Sequence, residues 1–275
     1  MPNQFTLVSG YINIESIEPY NCVRENNTQR EQTFPLYKER GQKLINIPIR
    51  KIIFIDARYI DQFQGNELTQ IIPITLEEMD IYPYYQQILS QSLSQSLSGS
   101  IEILSPNPKK DTALFHIIQI AKTEFIKKAI KVIEIDIDNG IASSENNIYA
   151  WIDFGISKIF KDDSEFEQSV MNISKMLDKI NPNAIKIPGC WPLNHADINN
   201  DFSRVNWYFC GGFFIGYKNT LLEFEKQVKK ELKSILEDEK KITFEVNIWF
   251  RLWRKGFVGF DWYYGDHNAS MFRIG

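Results

Sequence analysis

The stretch IYAWIDFGIS, residues 148–157, decides the fold. Apolar and aromatic residues run from Ile148 to Ile152, and the run stops on Asp153 with Gly155 close behind. A short, unbroken apolar run bounded by turn formers reads as a strand buried on both faces, as in the middle of a parallel sheet. The acid at its end has two readings. Strands often end on Asp, Asn or Gly because turns need them. A carboxylate at the carboxyl end of a strand in an α/β sheet also faces the crevice where ligands bind.

Working outward, strand and helix patterns alternate. QFTLVSGYINI reads as an opening strand, and Ile52 to Ile55 form a second apolar run that ends on Asp56. Leu114, Ile117, Ile118, Ala121 and Phe125 make one helical stripe, which Asp111 or Thr112 can cap. After the quoted strand, Phe166, Val170, Ile173, Leu177 and Ile180 mark a helix ending before Pro182. AIKIP is a short strand, and VNWYFCGGFFIGY is a strand pair or strand–turn broken at Gly211 and Gly212. Leu221, Phe224, Val228, Leu232 and Ile235 share a helix face, and a last helix spans roughly residues 244–254.

Three stretches are less regular. QSLSQSLSGS spaces Leu89, Leu93 and Leu97 four apart, which suits an amphipathic helix or a loop. KVIEIDIDNG alternates Ile133, Ile135 and Ile137 with acids, as a half-exposed strand or a strained turn would. The tail GFVGFDWYYGDHNASMF is aromatic and irregular, yet it carries too many rings to be solvated and should pack back onto the sheet. The alternation gives an α/β fold: a Rossmann-type, mostly parallel sheet with helices on both faces, in a single domain over residues 1–275.

The 275 residues are 43% hydrophobic, enough for one large core. A formal charge of −4 provides no broad attraction to nucleic acid or anionic lipid. The basic clusters NPKK and KQVKKELKS read as solvated helix faces. Cys22, Cys190 and Cys210 show neither a disulfide framework nor zinc-type spacing. The beginning of the chain has no signal-peptide pattern, and no stretch approaches the ~20 apolar residues of a spanning helix. The expectation is a cytoplasmic protein with at most a peripheral association with the inner membrane.

Four features could carry chemistry. Asp153 is one. DIDNG, residues 136–140, has an Asp-x-Asp spacing but fails as an EF-hand, because Gly140 comes too early and Asn147 stands at the twelfth position. Asp136 and Asp138 therefore read as a solvent face. The Gly211–Gly212 pair lets a ligand or another backbone approach closely. His267, in YYGDHN, is one of three histidines, and Asp with His and water suits Mn²⁺. No P-loop, G-x-S-x-G, H-E-x-x-H or C-x-x-C is present.

Taken in order, YKERGQKLINIPIRKIIFID, NPKKDTALFHIIQIAKTEFIKKAI, YAWIDFGISKI, WYFCGGFFIG, FEVNIWF and WYYGDHN resemble the HtrL/YibB family of bacterial proteins. That family is similar in layout to GT-A glycosyltransferases. The resemblance implies a metal-assisted transferase that moves a sugar from a UDP- or dTDP-linked donor to a glycan or glycolipid acceptor, such as a surface polysaccharide or lipooligosaccharide. It places the metal-binding Asp-x-Asp at Trp151, Ile152 and Asp153, so only the second acid is kept. It implies Mn²⁺ or Mg²⁺ held by Asp153 and His267, and Gly211 and Gly212 behind the sugar and acceptor. Glu245 becomes the acid facing the acceptor, a general base if the enzyme inverts. Lys109, Lys110 and Arg24 would add charge at the diphosphate. A catalytically inactive nucleotide- or carbohydrate-binding protein on the same fold is the alternative, favoured by the missing first Asp.

Overall fold

The computed structural model describes residues 5–17, 34–93, 100–104, 111–140, 147–192, 204–256 and 259–273. Seven strands form one sheet in the order β3-β2-β1-β5-β7-β6-β9. They are β1 (Thr6–Tyr11), β2 (Lys51–Asp56), β3 (Thr69–Ile74), β5 (Ile148–Ile152), β6 (Ile185–Gly189), β7 (Phe213–Tyr217) and β9 (Phe260–Tyr264). A parallel pair, β4 (Glu102–Ile103) with β8 (Lys241–Ile242), stands apart. In the large sheet only β7 runs against its neighbours β5 and β6, and the other pairings are parallel.

Seven helices accompany the strands among the described residues: α1 (Phe34–Asn46), α2 (Tyr82–Leu93), α3 (Ala113–Ile120), α4 (Lys122–Asp138), α5 (Asp163–Asn172), α6 (Lys218–Ser234) and α7 (Glu245–Arg254). Side chains alternate across the sheet with the period of two that a strand imposes. Val8, Ile52, Phe54, Tyr149, Trp151 and Phe214 point into a core closed by α3, α4, α6 and α7. Leu7, Ile53, Ile55, Ala150, Ile152 and Phe213 point the other way, into a second core with α1 and α5. All five residues of β5 are buried, so the apolar run at 148–152 is the central strand its composition implies. Among the described residues no helix is long and apolar enough to cross a membrane.

Several stretches depart from the sequence reading: the helix through Phe166 ends at Asn172 and a 3-10 turn runs on to Lys179, the stripe from Leu114 to Phe125 is split between α3 and α4 at Ala121, and of VNWYFCGGFFIGY only Phe213–Tyr217 is a strand. KVIEIDIDNG is not a strand, because α4 continues through it to Asp138. The buried residues Ile126, Ala129, Ile130 and Ile133 follow a helical period, while Ile135 is 58% exposed. Once the helix is nucleated at Lys122, each further residue adds a hydrogen bond, and this outweighs the β preference of the isoleucines. Gly140, at φ +72°, ends it in the left-handed conformation that glycine adopts freely. The aromatic tail is more regular than expected: Phe260–Tyr264 form β9, parallel to β6 at the sheet edge. The tail does pack back, with Met271 and Phe272 buried in the second core.

Strand order positions the site. From β1 the sheet grows through β2 to β3 on one side, and through β5 to β7 on the other. The carboxyl ends of β1 and β5 thus flank a topological switch point, where crevices form in open α/β sheets.

Candidate functional site

A cleft with an empty volume of ≈ 840 Å³, open mouth included, lies at that switch point. β1 contributes Gly10 and Tyr11, and Asn13 and Glu15 follow it; β5 contributes Trp151, with Asp153 just beyond it. Tyr37 of α1 and Phe115, Gln119, Lys122 and Phe125 of α3 and α4 complete the wall. Its lining of rings with a few polar groups is the mix that small-ligand sites show.

The two strand-end acids have different roles. Asp56, ending β2, is 2% exposed and fully engaged. It accepts a hydrogen bond from the Asn13 backbone N–H at 3.0 Å and pairs with the Arg58 guanidinium, whose Nε lies 2.9 Å away. It is a turn acid, held on both sides. The Asp153 carboxylate is 36% exposed and lines the cleft. Its backbone N–H donates to the Gly212 carbonyl at 3.0 Å, which fixes the turn. Trp151 stacks on Phe125, with ring centroids 5.7 Å apart, and its Nε1–H donates to Asp153 Oδ1 at 2.8 Å.

Lys122 is the residue that reading the sequence missed. It opens α4, right after the break at Ala121, and its side chain is 4% exposed. Nζ lies 3.0 Å from Asp153 Oδ1, 2.8 Å from Glu245 Oε1 and 2.9 Å from the Gly211 carbonyl oxygen. Burial depresses the affinity of this amine for a proton, but the Asp153 and Glu245 carboxylates outweigh it, and the net shift is upward. Lys122 is therefore a fixed positive charge on the cleft wall. The signal was present in IAKTEF: Lys122 is four residues after Ile118 and three before Phe125, at the edge of an apolar stripe. Beside it, burial and the Asp153 charge push the Tyr37 hydroxyl up to about 12.

Glu245 stands at the first turn of α7, as its place in FEVNIWF implies. It is 4% exposed and meets the cleft through Lys122 rather than forming part of the wall itself. Gly211 leaves the Glu245 carboxylate its place there. A Cβ on it would collide with Glu245 Oε1 and lie 3.2 Å from Lys122 Nζ. Gly212 is also tight, with Ile156 Cδ1 3.0 Å from the position of a Cβ. The turn at Gly211 and Gly212 thus lies against both Asp153 and Glu245.

His267 faces other partners. Its ligating atom and the Sγ atoms of Cys190 and Cys210 lie within 4.8 Å of one another. The His267 ring packs edge-on against Trp207, and its Nδ1 is 3.1 Å from Asp266 Oδ1. Among the described residues no contact joins His267 to Asp153. Asp136 and Asp138 sit at the far end of α4, on its solvent side. Arg24, Lys109 and Lys110 lie outside the described residues.

No family model and no curated protein matches the sequence. Among solved structures, the chain is similar to a glycosyltransferase involved in glycosylation of the major capsid of PBCV-1, at 11% identity and a TM-score of 0.40, covering 95% of this chain and 81% of that one. It is also similar to mouse xyloside xylosyltransferase 1 in its apo form, at 9% identity and a TM-score of 0.33, covering 98% of this chain and 80% of that one.

Proposed function

We propose that this protein is a glycosyltransferase of the HtrL/YibB type, with a GT-A-like fold, and that the cleft between β1 and β5 takes a UDP- or dTDP-linked sugar. The observation that carries this reading is Lys122, a buried ammonium paired with Asp153 and Glu245 on the wall of a switch-point cleft. A nucleoside diphosphate leaving group gains negative charge as the bond from the sugar C1 to the β-phosphate oxygen breaks. A preorganised cation at that oxygen lowers the barrier, because it needs no reorganisation as the charge develops. The acceptor hydroxyl oxygen forms the new bond to C1 and gives up its proton to a base. The rings of Tyr11, Tyr37 and Phe115 offer faces for the base and the sugar.

The residues around Asp153 fit Mn²⁺ or Mg²⁺ poorly. These hard ions take several oxygen ligands. Asp153 is the one carboxylate of the triplet Trp151, Ile152 and Asp153, and an ammonium stands 3.0 Å from its Oδ1. In this reading a diphosphate oxygen displaces one of the three acceptors that hold Lys122, Asp153, Glu245 and the Gly211 carbonyl, so that the ammonium faces the leaving group. The acceptor is a glycan or glycolipid.

The test is release of UDP or dTDP from a panel of donor sugars, with EDTA and then with added Mn²⁺. Release that persists in EDTA and falls about 10²–10³-fold in Lys122→Met supports the proposal. Loss of release in EDTA, restored by Mn²⁺, would return a metal to Asp153. Donor binding without turnover in any condition would favour an inactive binding protein, the reading to which Trp151 in the place of the first acid points.

A further inference from the structure

A second cluster of chemistry-bearing side chains lies beside the cleft, on the other side of the Gly211 turn. Cys190 follows the end of β6, Cys210 precedes Gly211, and His267 follows β9. They are remote in sequence, which is why their spacing shows no metal motif. The fold brings them together by backbone contacts. Cys190 N–H donates to the Trp207 carbonyl at 3.2 Å, Cys210 N–H to the Pro188 carbonyl at 2.7 Å, and Gly265 N–H to the Gly189 carbonyl at 3.1 Å. Among the described residues this is the one group of three or more Cys, His, Asp or Glu whose ligand atoms lie within 4.8 Å of one another.

We propose that Cys190, Cys210 and His267 form a site for one borderline-soft divalent cation of the zinc class. Two thiolates and an imidazole are the donor set that such an ion prefers over Mg²⁺ or Mn²⁺. With Zn–S near 2.3 Å and Zn–N near 2.0–2.1 Å, tetrahedral ligand atoms stand about 3.4–3.8 Å apart. A 4.8 Å cluster therefore closes on the ion by side-chain shifts of about 1 Å. Cys210 is buried, Cys190 half-buried and His267 exposed, which gives the ion an entry path on the His267 side. Asp266, with Oδ1 3.1 Å from His267 Nδ1, supplies the carboxylate that orients ligating imidazoles in such sites. The ion would pin the end of β6, the turn before β7 and the segment after β9. Because Cys210 adjoins Gly211, whose carbonyl accepts from Lys122, the ion would also hold the floor beneath the cleft charge. Three protein ligands leave the fourth position of the ion to water, and the site does not depend on the donor reading.

The experiment uses the full chain without a tag, reduced, treated with chelator and freed of it, then titrated with Co²⁺ in the absence of air. Expected are sulfur-to-cobalt charge-transfer absorption in the near ultraviolet at one ion per chain, displacement by Zn²⁺, and a rise in Tm with Zn²⁺. Cys190→Ser and His267→Ala should each abolish or strongly weaken the absorption, and Asp266→Asn should lower affinity about 10–100-fold. Cys210→Ser can fail to fold because the thiol is buried, so the two accessible positions carry the test. Cys22→Ser should change nothing. Absence of the absorption, its survival in Cys190→Ser, or its loss in Cys22→Ser would overturn the proposal. So would a Cys190–Cys210 disulfide that forms in air at the same rate with Zn²⁺ as without it. Donor turnover is not part of the readout, so failure here leaves the transferase reading standing, and the reverse holds too.

Discussion

Lys122 Nζ lies 2.8 Å from Glu245 Oε1, with both side chains almost completely buried. The two residues are 123 positions apart and join the start of α4 to the start of α7. Neither helix end suits both of its charges. An acid is favoured at a helix N-terminus and a base is not. Glu245 therefore sits well, and Lys122 is tolerated because two carboxylates surround it. A buried pair of this kind adds little net stability, since desolvation consumes most of its attraction, but it fixes geometry.

Removing one partner should therefore be costly. Lys122→Met leaves Glu245 buried without its cation, and we expect a loss of about 3–5 kcal/mol in urea unfolding. Lys122→Met with Glu245→Met removes both charges and should recover much of that loss while remaining inactive. If the double variant is no more stable than the single one, the pair is not coupled as described.

Gly211→Ala tests the turn. Its new Cβ would collide with Glu245 Oε1 and press on Lys122 Nζ. Overpacking of this kind costs about 1–3 kcal/mol. The carboxylate, being the end of a flexible side chain, should give way first. Donor turnover should then fall further than stability alone explains, by at least about 10-fold in a protein that still unfolds cooperatively. Normal turnover in Gly211→Ala would mean that the Lys122–Glu245 geometry does not matter for the chemistry.

The sheet was readable because its strands repeat local signals. The apolar run at 148–152, AIKIP, and the starts of α5 and α7 all match their sequence patterns. Thr112 also caps as its position implies, accepting from the Phe115 N–H at 3.2 Å. Long-range pairings were not readable. Lys122 meets Asp153 and Glu245, and Cys190 meets Cys210 and His267, only because non-adjacent strands become neighbours. Helix α1 was hidden for a different reason: FPLYKERGQKLIN buries only Gly41, Leu44 and Ile45, too few for a clear stripe. At 133–138 the local alternation pointed to a strand, and helix propagation from Lys122 prevailed.

A second buried lysine gives a pH prediction. Lys51 is 1% exposed and donates to the Ile45 carbonyl and to Thr69 Oγ1, both at 3.1 Å. Burial lowers its pKa from 10.5 to about 8. Between those values the unfolded chain holds the proton and the folded chain does not, so stability should rise with pH across that window. Below about pH 8 the full cost of burying the charge remains. The expected gain is about 3 kcal/mol. Burial also raises the Cys190 and Cys210 thiols above their ordinary value of 9.0, which opposes the gain from about pH 9, and pushes Tyr37 and Tyr149 up to about 12, which opposes it above pH 10, where unfolded tyrosines ionise. Chemical denaturation at pH 7.5 and 9.5, compared between the native protein and Lys51→Met, separates the lysine from the thiols, which both proteins share. Lys51→Met should flatten the slope, and an equal slope in that variant would assign it to other groups.

Glu245 has two possible roles, and one substitution separates them. As a general base it must accept the acceptor hydroxyl's proton, but its Oε1 already accepts from Lys122, and the residue reaches the cleft only behind that lysine. As a positioning residue it holds the Lys122 ammonium against Asp153. Glu245→Gln keeps the hydrogen bond to Lys122 and removes one of the two negative charges that keep the amine protonated. If Glu245 is the base, transfer to the acceptor should fall by about 10²–10⁴ at every pH, with donor hydrolysis much less affected. If it positions Lys122, donor hydrolysis and acceptor transfer should fall together by a smaller factor. The variant should then also lose activity as pH rises, because burial is opposed by Asp153 alone and the lysine releases its proton at a lower pH than in the native protein. A new alkaline limb in the kcat profile of donor hydrolysis, absent from the native protein, identifies the positioning role. A pH-independent loss confined to acceptor transfer identifies the base.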